Sequence, residues 1–76
     1  MGDEELTTIS SREVGARMRR IREERGLTTE ALAGRIHVTE EQLQAWEGGM
    51  GVAPYETMLE IASALSTTPN ALIFGS

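Results

Sequence analysis

The 76 residues of this chain leave room for one small domain with a single core, and not for the separate cleft and lid on which most enzymes rely. With no cysteine present, neither a disulfide nor a thiolate metal site can staple the fold, so stability has to come from helix packing. The formal net charge of −5 hides an uneven distribution: all seven basic residues are arginines between Arg12 and Arg35, while the stretch from His37 to Ser76 carries five glutamates and no Lys or Arg. A chain divided in this way is electrostatically two-faced. Its apolar residues come in short groups, none near the roughly 20 needed to span a bilayer. Its acidic start lacks the basic-then-apolar order of a signal peptide, so a soluble, cytoplasmic protein is expected.

Residues 1–9 carry three acids and are expected to form a flexible tail, with the domain proper over 10–76. A first helix, over about 11–25, opens with Ser10 three residues ahead of Glu13, the pattern of a capping box, flanked by Ile9 and Val14 as a hydrophobic staple. Val14, Met18 and Ile21 recur at i, i+4 and i+7 as one buried stripe, and Gly26 supplies the left-handed residue that ends the helix. A second helix starts from Thr28, with Leu27 before the cap and Leu32 behind it. A third starts from Thr39, where Gln42 completes the box and Val38 with Leu43 repeats the staple. Leu32, Ala33 and Ile36 share one face of the second helix, and Leu43 and Trp46 resume the apolar pattern in the third. Between them, His37 falls where a tight turn calls for positive φ, at a cost to a non-Gly residue on the order of 1 kcal/mol.

The run GGMGVAP, from Gly48 to Pro54, reads as a loop. Pro54 is placed in the first turn of a fourth helix, about 55–65, whose inward stripe is Met58, Ile61, Ala62 and Leu65. Thr68-Pro69 opens a last short helix, NALIF, which Gly75 ends. Leu72 and Phe74 are expected to close the core.

Two short helices joined by a tight turn, the second held out from a small core, form the arrangement of a helix-turn-helix DNA reader. The patterns V-G-x-R-x-R-x-x-R from Val14, G-L-T-T-E-A-L-A from Gly26, V-T-E-E-Q-L from Val38, W-E-G-G from Trp46 and Y-E-T-M-L-E-I-A-S-A-L from Tyr55 together resemble the Cro and phage-repressor type (XRE-like) helix-turn-helix family. The resemblance runs from about Ser10 to Gly75. It implies an all-α fold, a compact five-helix bundle containing a helix-turn-helix, like the lambda-repressor DNA-binding domain. It also implies a sequence-specific transcriptional regulator, a repressor-type dimer that lays the third helix, about 39–47, in the major groove of double-stranded DNA.

On the family's positions, Ala33 is the small residue that lets the third helix pack close, and Arg22 with Glu47 forms a structural ion pair. The base-facing candidates are Glu40, Glu41, Gln44 and Ala45; the phosphate candidates are Thr28, Thr29, Thr39, Arg17 and Arg19. Thr29 stands where the family commonly has Gln, and its hydroxyl at a helix N-terminus suits a phosphate. Ile73 and Phe74 offer an apolar dimer contact.

The charge map supports a second reading. Gln44 can pair with adenine and a carboxylate can accept from cytosine N4, yet two glutamates on that face repel phosphates. The alternative is therefore a helix-turn-helix fold used as a protein-interaction module, with an acidic face and little DNA affinity. Glu40 and Glu41 also have a plain structural use, since carboxylates in a first turn favour the helix dipole. His37 has no second His or Cys beside it in the sequence, so it reads as a turn residue and no metal is expected. No carboxylate pairs with a nucleophile and no phosphate-binding glycine motif occurs, so neither an enzyme nor a cofactor is expected. The expected partners are double-stranded DNA and a second copy of the chain, with a protein partner or an additional effector domain left open.

Overall fold

In the computed structural model, residues 9–75 are described, so the tail expected over residues 1–9 lies, apart from Ile9, outside the described residues. Five helices follow one another: α1 (Ser11–Glu24), α2 (Thr29–Ile36), α3 (Glu40–Glu47), α4 (Tyr55–Ala64) and α5 (Pro69–Phe74), with no strand among the described residues. α1 packs across α3 and α5, α2 packs on α3 and α4, and α4 meets α5.

Local chemistry explains the boundaries. Ser10, Thr28, Thr39 and Thr68 each accept a hydrogen bond from the backbone N–H three residues on, at Glu13, Ala31, Gln42 and Ala71. Each such cap contributes about 1 kcal/mol. α4 starts differently. Pro54 stands at its N-cap with φ −55° and ψ 154° and no side-chain cap, one position before the first turn where it was expected. Gly26 and Gly75 take positive φ after α1 and α5. So does His37 after α2, at φ 61° and ψ 41°, which lets the Val38 N–H return to the Ala33 carbonyl at 3.1 Å. Ser66, at φ 57°, takes the same conformation after α4 without any glycine to announce it.

The core consists of Val14 and Met18 from α1, Leu32, Ala33 and Ile36 from α2, Leu43 and Trp46 from α3, Met58, Ile61 and Ala62 from α4, Leu65 just after it, and Leu72 from α5. Ala53 joins it from the loop before α4. Three expected apolar roles are corrected. Phe74 does not close the core; it points outward and is 63% exposed, because the six-residue α5 has only one buried side chain, Leu72. Ile9, the expected staple partner of Val14, is 46% exposed, and Ile21 packs half-buried at the core's edge.

The approach of α1 to α3 depends on Gly15. A Cβ there would lie 2.2 Å from the Trp46 carbonyl oxygen and 2.7 Å from that of Glu47. Glycine in mid-helix costs about 1 kcal/mol relative to alanine; here it lets the last turn of α3 rest directly on the backbone of α1. Among the described residues, no helix is long and apolar enough to cross a membrane.

Candidate nucleic-acid interface

α3 buries Leu43 and Trp46 and turns Glu40, Glu41 and Gln44 to solvent, with Ala45 half-buried at the margin. Its far end is fixed by Arg22 of α1. The guanidinium grips Glu47 at both oxygens, Nε to Oε2 at 2.7 Å and Nη2 to Oε1 at 3.1 Å, and Nη1 donates to the Leu27 carbonyl at 2.8 Å. The two side chains are only 9% and 6% exposed. Hydrogen bonding to Glu47 raises the Arg22 pKa above its ordinary value; burial opposes that shift and Glu47's charge reinforces it. One buried cation thus ties α1, α3 and the segment entering α2 together, and a bidentate Arg–carboxylate pair holds orientation as well as distance.

The N-terminus of α2 lies beside the outward face of α3. Thr28 caps α2 and Thr39 caps α3, so each hydroxyl oxygen accepts from the backbone while its proton stays available to a phosphate. Thr29 is different: it donates its hydroxyl to Glu40 Oε2 across the turn. Gln44 Nε2 approaches the same oxygen at 3.5 Å. Arg19, Arg22, Thr29, Gln44 and Glu47 line one shallow concavity between α1, α2 and α3. The fold therefore brings Arg19, Thr29, Glu40 and Gln44 of the expected site to one place, with Glu41 exposed on the same helix.

Arg17, expected to contact phosphate, is directed elsewhere. Its Nε donates to the Leu72 carbonyl at 2.9 Å and its Nη2 to that of Ile73 at 2.6 Å, on the last turn of α5. The unpaired carbonyls at a helix C-terminus attract a cation, and α5 lies against α1 where Arg17 emerges. Arg25 does the same for the end of α4, donating to the Leu65 carbonyl at 2.7 Å. Arg19 pairs with Glu23 at 3.3 Å and Arg20 with Glu24 at 4.0 Å, both well exposed. Such pairs are worth a few tenths of a kcal/mol, so Arg19 is free to swing toward a stronger anion. Past α3, the Ser11 hydroxyl donates to the Gly49 carbonyl and holds the glycine loop against α1, leaving Met50 77% exposed at its tip. Among the described residues, no group of His, Cys, Asp or Glu is placed to hold a metal ion.

The close-packing role of Gly15 and the inward duties of Arg17 and Arg25 emerge only from the tertiary structure. A glycine inside an otherwise strong helix was the available signal for the first; arginine capping of distant carbonyls leaves none.

A family model described as a helix-turn-helix domain matches residues 13–72. The chain belongs to this family. Among solved structures, this helix-turn-helix domain is similar to the restriction-modification controller protein C.AhdI from Aeromonas hydrophila. The two are 27% identical with a TM-score of 0.78, over 83% of this chain and 96% of that one. It is also similar to the P22 c2 repressor, solved in complex with a synthetic operator, at 25% identity and a TM-score of 0.79, again over 83% and 96% of the two chains. A third similar structure, FeII HppE in complex with substrate, is 30% identical with a TM-score of 0.77, but this domain spans 36% of its length. No curated protein matches the sequence.

Proposed function

We propose that this helix-turn-helix domain is the DNA-binding part of a cytoplasmic transcriptional regulator, spanning residues 10–76 and acting as a binding module rather than an enzyme. It binds double-stranded DNA as a homodimer and lays α3 in a major groove. The observation that carries the reading is the presentation of α3: an outward row of Glu40, Glu41 and Gln44 on a helix anchored by the buried Arg22–Glu47 pair, beside the N-terminus of α2. That pairing of a reading helix with a phosphate-facing helix start is what groove recognition needs. The likeness to a repressor solved on its operator supports it.

In this reading Gln44 and one of the two glutamates face base edges, with Ala45 at the margin. Thr28, Thr29, Thr39 and Arg19 face phosphates. Dimerisation supplies two half-sites, since one eight-residue helix covers too little DNA for useful specificity. Exposed Phe74, with half-buried Ile73 beside it, offers an apolar contact for the second copy.

One observation favours a second reading. Arg17, Arg22 and Arg25 are all engaged inside the fold and no Lys or Arg lies on α3, which suits an acidic face that docks a basic protein. Selection from a pool of random duplexes at low and moderate salt separates the two. DNA recognition yields a shared, two-fold symmetric site; the docking module yields none at either salt.

A further inference from the structure

Glu40 and Glu41 are adjacent, equally charged and both exposed, yet they are held differently. Glu40 accepts from the Thr29 hydroxyl and faces the Gln44 amide, whereas Glu41 makes no side-chain hydrogen bond or ion pair among the described residues. The Thr29 hydroxyl has one proton to give, and it is committed to Glu40. Arg19 lines the same concavity as Thr29 and Gln44, so these three groups form a donor set suited to an anionic oxygen. A carboxylate of the protein's own already occupies two of the three.

We propose that Glu40 is a specificity-determining residue that acts as an internal competitor for the DNA backbone. The inference rests on the DNA-binding reading of this face. A phosphate that takes the Thr29 hydroxyl has to displace the Glu40 carboxylate from it and leave that carboxylate next to a polyanion, which penalises every duplex alike. The penalty is offset only where a base edge gives the displaced carboxylate a new donor, such as the N4 amino group of cytosine in the major groove. The released Gln44 amide then becomes free for an adenine. Sequence-independent binding is suppressed, and the operator is favoured by comparison.

The test uses the intact chain and the variants Glu40→Gln, Glu41→Gln, Thr29→Val and Thr29→Val with Glu40→Gln, titrated with a random-sequence duplex and with the selected site. The changes are isosteric, at exposed Glu40 and Glu41 and at half-buried Thr29, and a thermal melt of each variant checks that the fold is kept. Glu40→Gln is expected to tighten random-duplex binding by roughly tenfold and to lower the ratio of specific to non-specific affinity by about the same factor, while Glu41→Gln changes random-duplex binding by no more than about twofold. In the Thr29→Val background the gain from Glu40→Gln shrinks to that of Glu41→Gln, since the contested hydroxyl is gone. Equal gains from the two glutamine variants mean plain charge repulsion and overturn the proposal. So does weaker random-duplex binding by Glu40→Gln. If neither the intact chain nor Glu40→Gln binds any duplex, the DNA-binding reading itself has failed, an outcome distinct from binding without a difference between the two glutamates.

Discussion

Replacing Gly15 with alanine sets two well-characterised effects against each other. Helix propensity alone makes Gly→Ala in the middle of α1 a gain of about 1 kcal/mol. The surroundings oppose it: the new Cβ would stand 2.2 Å from the Trp46 carbonyl oxygen, 2.7 Å from the Glu47 oxygen and 2.9 Å from the Glu47 carbonyl carbon. Non-bonded atoms settle near 3.5 to 4.0 Å, so α1 and α3 must part by roughly 1 Å. All three obstacles are backbone, and no side chain can swing away to relieve them. Overpacking costs about 1–3 kcal/mol; contacts this short with rigid backbone put Gly15→Ala in the upper part of that range, about 2–3 kcal/mol. Separating the helices also strains the Arg22–Glu47 pair, whose Glu47 is at the contact and whose Arg22 lies about two turns along α1. The net expectation is a loss of about 1–2 kcal/mol, which lowers the melting temperature of a domain this size by roughly 5–15 °C. Gly34 provides the control, being exposed in α2 with nothing within 4 Å of its would-be Cβ. There the propensity term acts alone, and Gly34→Ala should raise the melting temperature by about 4–8 °C. Thermal denaturation followed by circular dichroism measures both. A Gly15→Ala domain that melts at or above the parent temperature would refute the close-approach argument.

Three further outcomes follow from the geometry. Removing either Arg22 or Glu47 alone should cost about 3–5 kcal/mol by leaving a buried charge unmatched, whereas replacing both with apolar residues of similar volume should cost much less; denaturant titrations around the double-mutant cycle read the coupling, and additive losses would mean an ordinary surface pair. Arg17→Met keeps the aliphatic stem but leaves the Leu72 and Ile73 carbonyls without their donor, so amide exchange should accelerate in α5 well before α2 or α3 is affected. His37→Gly relieves a left-handed φ of 61° and should raise stability by a few tenths of a kcal/mol up to about 1, offset in part by the greater freedom of the unfolded chain; a destabilised variant would show that the imidazole makes a contact of its own.

Most of the helices were legible because their ends are written in short-range chemistry. Ser10, Thr28, Thr39 and Thr68 cap as their sequence patterns predict, and His37 takes the positive φ that its place between two helices demands. The core was legible through periodicity except where a residue sits at an element's edge: Phe74 follows the apolar pattern yet faces outward because α5 is too short to bury two faces, and Ala53 joins the core from a loop that has no period to read. The functional face was legible in its residues but not in their use. Spacing sets Arg17, Arg19 and Arg25 on one basic helix, and only tertiary structure shows two of them turned toward the carbonyl ends of α4 and α5. The Thr29–Glu40 hydrogen bond crosses a turn between two helices, and no local rule couples those positions.

The duties of α1 bear on how the chain acquires its shape during synthesis. As this domain leaves the ribosome, α1 emerges ahead of the partners of its arginines, which follow 25 residues later at Glu47, 40 residues later at Leu65 and 55 residues later at Leu72. Until those segments emerge, α1 is an amphipathic helix with an uncovered apolar stripe and nothing to dock on. At a translation rate of roughly 5–20 residues per second that interval lasts a few seconds, long compared with the microseconds to milliseconds in which small helical domains close once complete. α2 and α3 can therefore pair early, but the scaffold that orients them is locked only when α5 has joined α1.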